Sequence, residues 1–239
     1  MTTTAISDLQ LLETQIDALF THDLDGRIRS INEPGGASAP RFFLGRTRTG
    51  NVWRFRQDLP EDTVRRLESL VANEPVHDDL RAEPRNLEAF RGVLGEDGGI
   101  QPVDVGSAYR FPDELPAPVN VTRIARSNLH LLEGMGPDWE DMTREFEARE
   151  PCCAMIEDGA AVSLCFSARL TARAAEAGIE TVEAYRGRGY APKVVAAWAN
   201  AVRAAGRIPL YSTTWANLAL QAVARKLGLI QYGADLSLW

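Results

Sequence analysis

The sequence contains no long apolar run. No stretch reaches the roughly 18 to 20 consecutive apolar residues that a membrane-spanning helix needs. The first residues, Met-Thr-Thr-Thr, have neither the basic segment nor the apolar core of a secretory leader. These absences predict a cytoplasmic protein that does not interact with a membrane. The 45% of hydrophobic residues is enough for an ordinary core.

Cysteine and histidine are also scarce, with three residues of each. An odd number of cysteines, two of them adjacent, predicts neither a disulfide framework nor a metal-ligand pattern. The cysteines are Cys152, Cys153 and Cys165. The histidines lie far apart, at His22, His77 and His130. We therefore predict that the protein binds no metal.

Acidic residues are missing from one long segment. Residues 184–234 contain no Asp or Glu and carry a charge of +7, in a chain whose net charge is −7. Such a segment favours docking of a small polyanion. A nucleic acid is not expected as a partner, because the chain as a whole would repel it and the basic residues alternate with apolar ones.

Two glycines form a short turn inside this acid-free segment, at Arg186-Gly187-Arg188-Gly189-Tyr190-Ala191. The turn follows a strand-like run at 178–182 and precedes an amphipathic helix-like run at 192–205. A glycine-rich turn at the start of a helix directs several backbone N–H groups at one point, where the helix dipole adds about half a positive charge. The pattern predicts a phosphate-binding turn.

These residues resemble the GNAT superfamily of acyl-CoA-dependent N-acyltransferases. The family's pyrophosphate motif, Arg/Gln-x-x-Gly-x-Gly/Ala, is matched at Arg186, Gly189 and Ala191. Further matches are Thr181-Val182, Trp215-Ala216-Asn217 and Lys226-Leu227-Gly228-Leu229, so that the resemblance covers roughly residues 150–239. It implies an α+β fold, with a mixed, mostly antiparallel GNAT-like sheet flanked by helices.

The resemblance also implies roles for individual residues. The cofactor, acetyl-CoA or another acyl-CoA, is expected to bind along the strand end, at the turn and at the start of the last helix. The residues concerned are Thr181, Val182, Arg186, Gly187, Arg188, Gly189, Tyr190, Ala191 and Asn217. Asn217 is also expected to help position the reaction. Many members place a Tyr seven residues after this Asn to protonate the thiolate, but Ala224 stands there.

The N-terminal part predicts an additional α+β lobe. Its elements are a helix at 6–20, a strand at 26–31, a hairpin at 41–56, and helices at 59–72 and 83–94. Gly95 to Gly99 is the predicted linker, and the next twenty residues, with four prolines, are expected to be rich in turns. The predicted domains are 1–100, the N-terminal lobe, and 101–239, the acyltransferase. Within the second domain we predict helices at 137–148 and 217–228, and strands at 152–157, 161–170 and 208–215.

The chemistry needs a base that takes the amine proton and a donor that polarises the thioester carbonyl. Glu176 is the candidate base, because it precedes the cofactor strand by the distance at which the family often keeps a Glu. Glu180 and Glu183 are the alternatives, and a solvated surface charge is the simpler interpretation of Glu176. A backbone N–H near Val182 is the candidate donor.

The prediction is an N-acyltransferase, with acetyl-CoA as the expected donor and a primary amine attacking directly in a ternary complex. A small-molecule acceptor is expected, and the N-terminal lobe is expected to narrow access to it. Two alternatives stay open: a catalytically silent acyl-CoA sensor or interaction module, and transfer onto a protein or an aminoacyl group on RNA. Whether the protein forms a homodimer also stays open.

Overall fold

The computed structural model describes residues 6–96, 102–135 and 139–239. It contains α-helices and strands in both predicted domains. The α-helices of these ranges are α1 (Asp8–Leu19), α2 (Glu61–Val71), α3 (Leu87–Gly95), α4 (Trp139–Arg144), α5 (Phe146–Arg149), α6 (Tyr190–Ala204) and α7 (Leu218–Lys226). Two 3₁₀ turns lie at Arg126–Leu132 and Glu183–Tyr185.

The strands form one large sheet and one small hairpin. They are β1 (Phe20–His22), β2 (Ile28–Ile31), β3 (Phe42–Arg46), β4 (Asn51–Phe55), β5 (Val103–Arg110), β6 (Val121–Ile124), β7 (Cys152–Glu157), β8 (Ala160–Leu170), β9 (Ala174–Thr181), β10 (Ile208–Thr214) and β11 (Ile230–Leu238). The large sheet has nine strands in the order β4-β3-β11-β5-β10-β9-β8-β7-β6, while β1 and β2 pair with each other. Within the described residues β9 and β10 run parallel and the other neighbours of the large sheet run antiparallel. A mixed, mostly antiparallel sheet flanked by helices was predicted, and it is confirmed.

Adjacent residues of β9 and β10 contact different helices, which defines two faces of the sheet. Ala175 and Tyr211 belong to the apolar cluster around α6 and α7. Ala174 and Leu210 belong to the cluster around α1. Because successive strand residues point to opposite faces, α6 and α7 cover one face at this point and α1 covers the other.

The sequence of α1 explains its start and its orientation. Ser7 Oγ accepts the Gln10 N–H at 3.2 Å, and Gln10 Oε1 accepts the Ser7 N–H at 3.0 Å, which is a reciprocal capping box. Leu12 and Ile16, one helix turn apart, are fully buried. The apolar stripe of α1 therefore seals one face of the sheet beside β9.

Four strands were not predicted: β1, β5, β6 and β11. β5 lies in the stretch expected to be rich in turns, yet it is flanked by β10 and β11 inside the sheet. Its prolines, Pro102 and Pro112, lie just outside the strand and leave its backbone ladder intact. The stretch 102–121 also contains the start of β6, and β11 follows the last predicted helix.

The predicted linker at 95–99 lies mostly outside the described residues, with Gly95 at the end of α3. β3 of the predicted N-terminal lobe pairs with β11 of the predicted acyltransferase domain over Phe42–Arg46. One sheet therefore spans the two parts. The boundary at 100/101 stays a prediction.

Candidate functional site

The parallel pair β9 and β10 separates part-way along its length. The two strands are paired at three rows, which end at Glu176 opposite Leu210. Beyond that row β9 continues to Thr181 while staying paired with β8 on its other edge. From Ala177 onward, the edge of β9 that faces β10 has no strand partner among the described residues. An open strand edge offers backbone N–H and C=O groups to a ligand.

A cleft of about 890 Å³ lies beside this split, on the face that α6 and α7 cover. We call it the α6–α7 cleft. The end of β9, the turn before α6 and the first turns of α7 form its walls. Its volume is within the ~300 to 1,000 Å³ typical of small-molecule sites.

The turn before α6 directs bare helix N–H groups into the α6–α7 cleft. Gly187 and Gly189 both have φ of +78°, the left-handed region that glycine adopts without strain. No side chain of the described residues caps the start of α6, and its first turn contains no acid. The N-terminal amides of a 15-residue helix are thus left to a ligand, which is the arrangement that binds phosphate groups.

The α6–α7 cleft brings together the residues predicted to bind the cofactor, with the exception of Arg188. The residues that line it are Thr181, Val182, Arg186, Gly187, Gly189, Tyr190, Ala191 and Asn217. The Arg188 guanidinium lies 4.6 Å from the centre of the Tyr185 ring and donates to the Ala184 carbonyl at 3.2 Å. Sequence analysis did not single out Lys226 as a cofactor residue, and it also lines this cleft.

The basic residues of the acid-free segment do not all face the α6–α7 cleft. Arg203 donates to the carbonyls of Phe111, Pro112 and Asp113. Arg207 donates to the Thr171 carbonyl at 2.9 Å. The expected docking surface is therefore smaller than the sequence suggested, because Arg203 joins α6 to the segment 111–113 and Arg207 contacts the turn between β8 and β9.

Two predicted residues already have structural partners. Asn217 Oδ1 accepts the Leu220 N–H at 3.1 Å, so this side chain caps α7 while lining the α6–α7 cleft. The Val182 N–H donates to the Val162 carbonyl at 3.0 Å. The candidate donor for the thioester carbonyl was a backbone N–H near Val182, and this hydrogen bond commits the amide of Val182 itself elsewhere.

Glu176 lies inside β9 instead of before it, and it is 2% exposed. The interpretation of Glu176 as a solvated charge is therefore wrong. It shares a face with Ala174, so its side chain is on the α1 face and does not line the α6–α7 cleft. The Ser212 hydroxyl of β10 donates to Glu176 Oε1 at 2.7 Å, while Oε2 has no partner in the described part of the chain.

The environment of Glu176 sets its protonation. Burial raises its pKa to about 7, against the opposing effects of the Ser212 hydrogen bond and the Arg169 charge. A carboxylate with a pKa near neutrality can accept a proton and release it again at physiological pH. Glu180 and Glu183, the alternative bases, line the α6–α7 cleft.

A second cavity of about 240 Å³ lies on the α1 face, and we call it the α1-side cavity. Ser212, which bonds to Glu176, is part of its wall. Two carboxylates, Asp104 and Asp235, also line it. Burial and the nearby Asp104 charge raise the pKa of Asp235 to about 6, against the effect of Arg46. The α6–α7 cleft and the α1-side cavity therefore lie on opposite faces of the sheet, around the split between β9 and β10.

Sequence analysis missed Ser212, Asp104 and Asp235. Ser212 alternates with the buried Leu210 along β10, which was a usable signal that both face the same side. Asp104 and Asp235 lie on β5 and β11, two strands that were not predicted. No pairing signal in the sequence joins these strands to β10.

In the ranges 6–96, 102–135 and 139–239, no helix is both long and apolar enough to cross a bilayer. The same ranges contain no group of three or more His, Cys, Asp or Glu side chains arranged to hold a metal ion.

Comparison with known proteins bears directly on this site. The sequence profile of the GNAT acetyltransferase family matches residues 112–234, just over half of the chain, and the match includes the β9–β10 split and the turn before α6. The chain belongs to the GNAT acetyltransferase family. The resemblance in the sequence is therefore confirmed. A search of curated protein sequences found no match.

Several solved GNAT structures are similar to this one. A GCN5-related N-acetyltransferase-like protein from Streptococcus suis is 18% identical, with a TM-score of 0.49, over 82% of this chain and 84% of that one. A GNAT-family acetyltransferase from Colwellia psychrerythraea is 14% identical, with a TM-score of 0.48, over 79% and 76%. A GNAT-family protein from Novosphingobium aromaticivorans is 16% identical, with a TM-score of 0.47. That match covers 57% of this chain and 64% of the other, just under two thirds of its length.

Proposed function

We propose that this GNAT protein transfers an acyl group, acetyl in the simplest case, from acyl-CoA to a primary amine. Membership of the family supports acyl transfer from acyl-CoA in general terms. The observation that carries the specific proposal is the split between β9 and β10 beside the uncapped start of α6. It supplies an open strand edge and a phosphate-binding helix terminus in one cleft.

The chain's own residues fit the parts of an acyl-CoA. The amides of Tyr190 and Ala191 at the start of α6 would hold the pyrophosphate, with Arg186 and Lys226 adding positive charge on the walls. The open edge of β9 up to Thr181 would pair with the amides of the pantetheine arm. The thioester then lies at the split, where β10 is within reach.

In this proposal the amine attacks the thioester directly in a ternary complex. Glu176 is the base in this proposal and acts through the Ser212 hydroxyl, since its own carboxylate is buried on the α1 face. Burial brings its pKa to about 7, so a useful fraction is ionised at neutral pH. The acceptor is a small molecule, and the cytoplasmic location stays a prediction.

A catalytically silent acyl-CoA sensor is the second candidate. Ala224 favours it, because this residue occupies the position of the family's usual Tyr and is 2% exposed in the core between α7 and the sheet. No thiolate acid is therefore assigned at that position. The same cleft would bind acyl-CoA in either case.

A thiol-release assay separates the two candidates. Acetyl-CoA and a panel of primary amines are mixed with the protein, and free thiol and acetylated amine are quantified together. Thiol and amide released in equal amounts support the transferase. Tight binding of CoA by calorimetry with no amide from any amine would support the sensor.

A further inference from the structure

We propose that the α1-side cavity is the acceptor site and that it selects a small primary amine in its protonated, cationic form. The amine nitrogen would bind between the Asp104 and Asp235 carboxylates and pass its proton through Ser212 to Glu176. This inference rests on the proposed function and adds the class of acceptor to it.

The size of the α1-side cavity limits the acceptor to a small molecule. A volume of about 240 Å³ is the space of roughly eight water molecules. Phe20, Phe43 and Trp239 form apolar parts of the wall. An amine with a short aryl or alkyl body would bury its apolar part against these rings.

Charge favours a cation over a neutral amine. The Trp239 indole N–H donates to Asp104 Oδ2 at 2.9 Å. Asp104 itself is exposed. Asp235 is half-buried. Arg169, the cation on the wall, has Glu33 at 3.9 Å. Arg46, the other cation that acts on Asp235, is not part of the wall and donates to the Leu80 and Ala82 carbonyls. Hydrogen bonds between an ammonium and the two carboxylates are among the stronger ones.

Side chains of increasing burial lead from Asp104 to Glu176, and they offer the amine proton a route into the protein. Asp104 is exposed, Asp235 and Ser212 are half-buried, and Glu176 is 2% exposed with one oxygen that lacks a partner among the described residues. The Ser212 hydroxyl already donates to Glu176 at 2.7 Å, so it can receive a proton from the ammonium as it passes its own to the carboxylate. At the buried end of this route, Glu176 Oε2 thus leaves one hydrogen bond unmade within the described part of the chain.

The reaction balances with these groups. The ammonium loses one proton to Glu176 through Ser212 and becomes a neutral amine. Its nitrogen then forms a bond to the acyl carbon as the carbon–sulfur bond breaks. The thiol leaves with the second proton of the nitrogen, and Glu176 returns the first proton to solvent. No oxidant, reductant or metal is needed.

The N-terminal part of the chain would set which amine fits. Phe20 of β1, Ile31 of β2 and Phe43 of β3 are wall residues, whereas the α6–α7 cleft is lined by residues after 133. The acceptor site thus combines N-terminal residues with residues of β5, β10 and β11, whereas the α6–α7 cleft has no lining residue before 134 among the described residues. The prediction that the N-terminal lobe narrows access to the acceptor is consistent with this proposal.

The test measures binding of two probes of nearly equal shape to the CoA-saturated protein. 2-Phenylethylamine is a cation at pH 7, and 2-phenylethanol is neutral. In calorimetry, the wild type should bind the amine at least about tenfold more tightly than the alcohol. Asp104→Asn and Asp235→Asn should each remove most of that preference. Asp25→Asn is the control, since Asp25 is exposed and lies outside the α1-side cavity.

A further variant guards against misfolding of the Asp235 substitution. Thr214 is exposed and lines the α1-side cavity, so Thr214→Trp should fill the cavity and abolish amine binding while CoA affinity stays at the wild-type value. An amine preference that is absent from the wild type, or unchanged in the variants, would overturn the acceptor site. Acetyl transfer that persists unchanged in these variants would overturn it too and leave the proposed function intact. CoA binding without transfer to any amine would instead overturn the proposed function.

Discussion

A carboxylate that is 2% exposed keeps its negative charge only at a cost in free energy, and Glu176 is in that position. The hydrogen bond from Ser212 and the charge of Arg169 offset part of the cost, and the net result is a pKa of about 7. Both protonation states are therefore populated near neutral pH. That property suits a group that takes up and releases one proton in each turnover.

Glu176→Gln should lower kcat by roughly 10²- to 10⁴-fold, because Gln keeps the shape and removes the base. In the wild type, kcat/KM should fall as the pH decreases below about 7, since Glu176 is then protonated. The pH profile of kcat/KM for the Gln variant should lack this decrease. Exposed Glu13, replaced by Gln, is the control.

Steady-state kinetics across pH 5 to 9, together with CoA affinity, provide the measurement. A loss in kcat below about threefold would mean that positioning alone drives the reaction, or that the base is Glu180 or Glu183. In that case the hydrogen bond between Ser212 and Glu176 would be structural.

Glu176 should also make stability depend on pH. Its pKa rises from 4.5 to about 7 on folding, so between these values the folded state holds a proton that the unfolded state has lost. The stabilisation is complete below pH 4.5 and is lost as the pH rises through 7. It amounts to about 3 kcal/mol at most.

Urea unfolding of the wild type and Glu176→Gln at pH 5 and pH 8 tests this dependence. Gln does not titrate, so the wild type should lose more free energy of unfolding than the variant between the two pH values. Equal losses in the two proteins would show that Glu176 has an ordinary pKa.

At the scale of one element, the turn before α6 shows why a short motif can carry information about a site. Positive φ at Gly187 and Gly189 turns the chain so that the first amides of α6 face the cleft. Glycine at these two positions and the absence of acids in the first turn were visible in the sequence. The phosphate-binding turn could therefore be predicted locally, without knowledge of the rest of the fold.

Gly189→Glu should abolish CoA binding and leave the protein folded. A Cβ at Gly189 meets no atom within 4 Å, so the added carboxylate extends from the start of α6, where it would repel the pyrophosphate. The positive φ adds a strain of roughly 1 to 2 kcal/mol for a residue with a side chain.

Gly206→Glu is the matched control. Gly206 follows the other end of α6, has φ of +75°, and a Cβ there also meets nothing within 4 Å. It should suffer a similar strain and charge change and still bind CoA. Calorimetry with CoA and thermal unfolding of both variants measure the contrast, and equal CoA affinities would exclude the turn as the phosphate site.

Other parts of the site depend on long-range pairing and could not be predicted. Glu176 was chosen from its spacing before the cofactor strand, but it is buried on the face of β9 that α1 covers, and α1 lies more than 150 residues earlier in the chain. The α1-side cavity combines residues of β5, β10 and β11. Strand order is not encoded in any local pattern, so Asp104 and Asp235 could not be placed beside Ser212.

At the scale of the whole molecule, the N-terminal part completes the sheet that contains the site. β3 pairs with β11, and Phe42 and Leu44 of β3 are buried together with Leu236 and Leu238 of β11. α1 covers the opposite face. The helices and the hairpin of this part were predicted from apolar periodicity, whereas its joining to the last strand was not.

A fragment of residues 102–239 should therefore be insoluble. Removal of residues 1–101 would expose the edge of β11 and the apolar side chains that α1, α2 and α3 cover. An open apolar strand edge promotes aggregation. Expression followed by analytical ultracentrifugation of the soluble fraction is the measurement. A monomeric fragment with cooperative unfolding would contradict the dependence of the sheet on the N-terminal part.

The most direct test of the whole account is a crystal structure of the protein with a non-hydrolysable acetyl-CoA analogue. We expect the pyrophosphate on the amides of Tyr190 and Ala191, the pantetheine arm along the open edge of β9, and the acyl carbon at the split, facing Ser212. An analogue bound away from the start of α6, or with its acyl group directed into solvent on the α6–α7 side, would contradict the proposed function.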